Sequence, residues 1–129
     1  MKIEIKTIPH SEHRYPTVGD WWWDHDGTLQ IRVSKMGNWK YEVLVALHEL
    51  IEVLLCKDRG IKPKDVDNFD MQYEREREQG LHGPDEEPGW DKKAPYRKEH
   101  AFAEKIERMF ARQLKVAWKR YNDKVMSLP

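Results

Sequence analysis

Val43-Leu44-Val45-Ala46-Leu47-His48-Glu49-Leu50-Ile51-Glu52-Val53-Leu54-Leu55-Cys56 is the stretch on which the fold turns. On a helical wheel at ~100° per residue, Val43, Leu44, Leu47, Leu50, Ile51, Leu54 and Leu55 make a broad apolar face. Val45, Ala46, Val53 and Cys56 fill much of the other side. A helix that is apolar nearly all round is expected to be buried. Gly37-Asn38 supplies a break and an N-cap, and Gly60 an end, so the helix is predicted from about Trp39 to Lys57. Only His48, Glu49 and Glu52 interrupt the oil, and they share one arc of ~100° on about one turn. Burying two carboxylates and an imidazole without partners costs several kcal/mol. Something must compensate them.

Upstream of this helix the periodicity changes to two. In Lys2–Ile8 the residues Ile3, Ile5 and Thr7 share one face, with Glu4 and Lys6 on the other. Leu29, Ile31 and Val33 alternate with Gln30, Arg32 and Ser34, and Trp21-Trp22-Trp23 leads into Asp24-His25-Asp26-Gly27. Asp-Gly suits a tight hairpin, so Asp24, His25 and Asp26 are read as turn chemistry and not as a metal site. Downstream, residues 61–95 hold four prolines and most of the acidic excess, with a short helix expected around Asp67–Gln79. Pro95 opens a last helix predicted from Tyr96 to about Lys124, with Ala103, Phe110, Leu114, Ala117 and Tyr121 as its apolar stripe. The expected fold is α+β: a small three-stranded, mostly antiparallel sheet packed on two long helices. The 129 residues form a single domain: 1–36 strands, 38–59 the site-bearing helix, 61–95 an acidic loop with a short helix, and 96–124 the C-terminal helix.

The bulk numbers narrow the function classes. Net charge is zero, but residues 1–64, 65–91 and 92–129 carry +1, −8 and +7. Such segregation fits an acidic loop folded against a basic helix face better than a nucleic-acid surface, which calls for an overall basic excess. Lys105, Arg108, Arg112, Lys115 and Lys119 are accordingly expected on a solvated face. No stretch approaches the ~20 apolar residues of a membrane span, and the opening residues lack a secretory pattern. The expectation is therefore a cytoplasmic protein without a membrane or nucleic-acid partner. Cys56 is the only cysteine, which excludes an internal disulfide and a thiolate metal site; it reads as a small core residue.

A divalent cation would compensate the buried charges. His48 and Glu52, at i and i+4, project side by side and can bind one ion, with Glu49 beside it. The third ligand must come from elsewhere, and His100 is the best candidate, near the start of the last helix and one turn before Ala103. Glu104, Asp70 and Glu74 are candidates for a fourth, and Glu104 could instead orient His100.

His48-Glu49-Leu50-Ile51-Glu52, preceded by the strand Thr28–Ser34 and a short break, resembles the core of the zincin metallopeptidases over residues 28–56. The likeness includes the small repressor-cleaving type and uncharacterised phage and prophage proteins with that core. The resemblance implies zinc (or another divalent metal) as cofactor, His48 as a ligand and Glu49 as the general base for hydrolysis of a peptide or protein substrate. It also implies an edge strand beside the helix that holds the substrate extended. Glu52 stands where the family has its second histidine. Gluzincins bind zinc with two His and one Glu, and His48, Glu52 and His100 give that set in a changed order.

Other readings compete. His48, Glu49 and Glu52 could form a hydrogen-bonded network with Arg97, Arg108 or Tyr41, structural only. Glu49-x-x-Glu52 with Glu104-x-x-Glu107 superficially matches the magnesium sites of helical nucleotide pyrophosphohydrolases, against which the strands and His48 count. A di-iron bundle lacks its Glu-x-x-His motifs. The chief alternative is a phage-type accessory or binding protein on a zincin-like scaffold, with a structural or lapsed metal site. Trp21–Trp23 are expected to pack under the acidic loop, with Trp22 facing opposite to its neighbours.

Overall fold

A computed structural model describes all 129 residues. Three strands, β1 (Ile3–Ile8), β2 (Gly19–Trp23) and β3 (Leu29–Ser34), form one sheet in the order β1-β3-β2. Four helices follow: α1 (Trp39–Asp58), α2 (Pro63–Glu78), α3 (Arg97–Gln113) and α4 (Trp118–Met126). The expected α+β class holds. The sheet is mixed, however: β2 pairs antiparallel with β3 through the Asp24–Gly27 turn, whereas β1 runs parallel to β3. A parallel neighbour needs a crossover, and residues 9–18 begin it by carrying the chain past the end of β3, where His10 and His13 meet Ser34, to the start of β2.

Leu29, Ile31 and Val33 are fully buried beneath α1, joined by Trp21 from β2. Asn38 caps α1 as expected, its side chain accepting from the Lys40 and Tyr41 amides. Leu44, Val45, Val53 and Cys56 are buried, with the free Cys56 in the core. The helix is not enclosed all round: Val43 is exposed and Leu47, Leu50 and Leu54 only half-buried. The sheet and α3 cover α1 on two sides and leave a third open. Trp22 does face opposite to Trp21, with the guanidinium groups of Arg14 and Arg32 both against its ring.

Two further expectations need correction. The short helix is a full α2 of 16 residues starting at Pro63. The single last helix is two, because Lys115 adopts a left-handed conformation (φ 58°) and the chain reverses into α4. Buried positions on α3 are Glu99, His100, Ala103, Glu107 and Ala111, while Phe110 is exposed. Lys105, Arg108, Arg112, Lys115 and Lys119 are exposed as expected. No helix is long and apolar enough to cross a membrane.

Candidate metal centre

α1 and α3 pack side by side, and the polar residues of both meet in the seam. His48 Nε2, Glu52 Oε2 and His100 Nδ1 form a nearly equilateral triangle, with edges of 3.0 Å (His48–Glu52), 3.0 Å (Glu52–His100) and 3.1 Å (His48–His100). The three residues drawn together from the sequence do converge. Donor atoms ~2.0–2.1 Å from a tetrahedral ion lie about 3.3 Å apart, so the triangle needs only a few tenths of an ångström of expansion to hold one.

What stands behind the rings decides which atoms carry protons. His48 Nδ1 donates to Glu107 Oε1 at 2.7 Å, and the other oxygen of Glu107 accepts from the Tyr121 hydroxyl. Glu87 Oε2 lies 3.3 Å from His100 Nε2, an ion-pair contact to a buried nitrogen that makes no hydrogen bond. A carboxylate only accepts, so each ring keeps its proton on the outer nitrogen and can turn a lone pair inward. Carboxylate behind imidazole is the usual support of a metal-bound histidine.

Without a cation, three acceptors meeting at one point repel, and the rings must take up protons instead. Burial opposes the charged His48 ring, but hydrogen bonds to Glu107 and Glu52 outweigh it and hold its pKa well above the ordinary value. Burial likewise opposes the charged His100 ring, yet Glu52 and Glu87 raise its pKa to about 9. Glu52, whose burial alone would push it up, is pulled down to about 2 by His100 and His48. Two protons on the imidazoles and one divalent cation are therefore alternative ways to balance the same three carboxylates. They carry equal charge.

Two glycines make room for this seam. A Cβ on Gly89, in the segment between α2 and α3, would overlap the His100 ring at Cγ and Nδ1. A Cβ on Gly19, in β2, would lie 2.7 Å from Glu49 Oε1. Glu49 thus sits between α1 and β2 without a hydrogen-bond partner. Burial, reinforced by the nearby charge of Glu52, raises its pKa well above the ordinary carboxylate range. His48, Glu49, Glu52 and His100 all line one cavity of about 370 Å³.

The candidates for a fourth ligand are engaged elsewhere. Asp70 accepts from the hydroxyls of Tyr96 and Tyr15, and burial raises its pKa to about 7. Glu74 pairs with Arg77 and Glu104 with Arg108. The rival network with Arg97, Arg108 or Tyr41 is not formed; the groups facing His48 and His100 are carboxylates. Their residues, Glu107 and Glu87, were not assigned from sequence. Glu107 had a signal, lying at i+7 from His100 on the same helix face. Glu87 had none, coming from an irregular segment that Arg77 ties down through the carbonyls of Gly83 and Glu86.

The edge expected to hold a substrate is partly closed. Asp20 and Trp22 pair with β3, so the backbone groups of Gly19, Trp21 and Trp23 point outward. The Gly19 carbonyl accepts from the Thr17 hydroxyl at 2.7 Å, the Trp21 carbonyl from Arg14 at 3.3 Å, and the Trp21 amide donates to Asp20. Arg14 is itself held by Asp20 and Asp67. Comparison with protein-family models, with curated proteins and with solved structures finds no match to this chain. The functional reading therefore rests on geometry.

Proposed function

We propose that this protein is a metal-dependent hydrolase of the peptidase kind, with zinc or a similar divalent ion held by His48, Glu52 and His100. One observation carries the reading: three donor atoms within 3.1 Å of one another, both imidazoles backed by carboxylates, and an unpaired Glu49 one residue from the first ligand. Three protein ligands with the remaining polar groups drawn off by tyrosines and arginines is the pattern of a catalytic site, which keeps a position open, more than of a closed structural one. When bound, such an ion supplies a Lewis acid that activates water and polarises a carbonyl.

The chain's own residues supply the rest. Glu107 and Glu87 keep the outer ring nitrogens protonated and the inner lone pairs available. Glu49, held above the ordinary carboxylate range by burial and wedged against Gly19, is placed to accept a proton from water and to return it to the leaving group. The cavity beside β2 receives the substrate, and its apolar walls include Tyr15, Val18, Trp21, Val45 and Tyr96.

A second reading, a non-catalytic binding protein with a structural ion, draws support from the closure of the β2 edge by Arg14, Asp20 and Thr17. Elemental analysis and a peptide-library digest of the wild type and Glu49→Gln separate the two. The hydrolase reading expects about one ion per chain in both proteins, and a loss of turnover of at least about 100-fold in the variant, the scale of general-base catalysis. Metal without turnover in the wild type favours the binding protein. A wild type that binds no ion stoichiometrically defeats the hydrolase reading and leaves the binding protein with a lapsed site.

A further inference from the structure

β1 differs from β2 in leaving its outer edge bare. The ladder to β3 uses the backbone of the even-numbered residues, as the bonds from the Leu29 amide to the Lys2 carbonyl and from the Lys35 amide to the Ile8 carbonyl show. The amides and carbonyls of Ile3, Ile5 and Thr7 point away from the sheet. Nothing corresponds to the Arg14, Asp20 and Thr17 groups that satisfy β2. Above this strand the sheet is also uncovered, because α1 lies across β3 and β2. Ile3 is 39% exposed and Ile5 46%, although their register partners Leu29 and Ile31 are fully buried. An unblocked, apolar edge strand is a template for another strand.

The side chains of β1 select which strand it can be. Lys2, Glu4 and Lys6 alternate on the face away from α1, with Glu4 between the two lysines. We infer that β1 pairs antiparallel with β1 of a second copy, about a two-fold axis through Ile5. In that register Ile5 meets the partner's Ile5, and Ile3 meets the partner's Thr7. All outward backbone groups are then used, giving on the order of six main-chain hydrogen bonds. Glu4 falls opposite the partner's Lys6, and Lys6 opposite the partner's Glu4. Slipping the pairing to an axis through Glu4 sets Glu4 against the partner's Glu4 and Lys2 against the partner's Lys6, which like-charge repulsion disfavours. The strand is charge-complementary to itself in the register that also satisfies most of its backbone.

A two-fold axis perpendicular to the joined sheet keeps α1 of both copies on one face. No residue of β1 lines the cavity that holds His48, Glu52 and His100, so this assembly does not use the metal centre. The interface is independent of any catalytic role.

Sedimentation velocity on the full chain between about 1 and 200 µM tests it, with far-ultraviolet circular dichroism and thermal denaturation as the check on folding. The wild type is expected to be a dimer at the upper end. Ile5→Pro deletes an outward amide without touching the β1–β3 ladder and is expected to be monomeric. Glu4→Lys replaces two attractive cross-strand pairs by two repulsive ones and weakens dimerisation on the order of tenfold; adding Lys6→Glu restores it. A wild type that stays monomeric throughout overturns the inference, as does a dimer that neither Glu4→Lys nor its charge-swapped double variant moves.

Discussion

Two histidine pairs in this molecule are each bridged by one oxygen, and only one of them has carboxylates standing behind its rings. His10 Nδ1 and His13 Nε2 flank the hydroxyl of Ser34 at 2.8 and 2.9 Å, and His48 Nε2 and His100 Nδ1 flank Glu52 Oε2 at 3.0 Å each. A hydroxyl has one proton to give and lone pairs to receive, so Ser34 satisfies one neutral ring as donor and the other as acceptor. The shared oxygen needs no cation, although His13 Nδ1 on the far side of its ring is buried without a partner, and burial lowers the pKa of His13. Glu52 can only accept, and behind its two imidazoles stand Glu107 and Glu87. The carboxylates make the difference. Two imidazoles around an oxygen are not a metal site until negative charge behind them demands something positive between them.

The contrast can be broken most sharply at the ligands. His100→Ala is expected to abolish stoichiometric zinc binding, whereas His13→Ala leaves it intact; plasma emission analysis of both proteins decides. Removing the supporting charge should do less. Glu107→Gln keeps the shape and lowers metal affinity by roughly 10–100-fold, as read from chelator competition, and the same exchange at Glu87 falls at the low end because its contact is longer.

The smallest effect expected is on pH. His48 and His100 have raised pKa values in the metal-free fold, so both rings are protonated at neutral pH and must release their protons when an ion enters. Apparent affinity should therefore fall as pH is lowered from about 9, the value for His100, with calorimetry in two buffers showing one to two protons released per ion. The sign for stability follows from the same shifts. The raised histidines stabilise the metal-free fold fully below the unfolded value of 6.5 and lose that contribution as pH rises through about 9. Thermal denaturation should show this loss in the metal-free protein and not in the zinc-loaded one. His13, lowered by burial, contributes no such alkaline loss.

How much of this was visible in the sequence depends on whether the information is local. His48, Glu49 and Glu52 stood out because three ionisable groups interrupted an otherwise apolar helix, and the i, i+4 spacing fixed their common direction. The Asp24–Gly27 turn and the Asn38 cap are likewise written in adjacent residues. His100 could be matched to them because its own helix had a readable periodicity. The parallel placement of β1 could not be read, since Ile3, Ile5 and Thr7 alternate identically in either direction. The break at Lys115 was hidden because no glycine marks that left-handed turn. Gly89 looked like one loop glycine among several, and its purpose is defined only by the ring lying against it.

The reversal at Lys115 reaches further than the shape of the tail. Tyr121 follows Glu107 by 14 residues, and an unbroken helix would carry it about 21 Å away. Doubling back instead sets its phenol on the carboxylate that grips His48. A backbone kink remote from the seam thus ends up governing where one hydrogen atom resides, so the final helix serves as a tether on the tautomer of His48 and is not a mere trailing appendage.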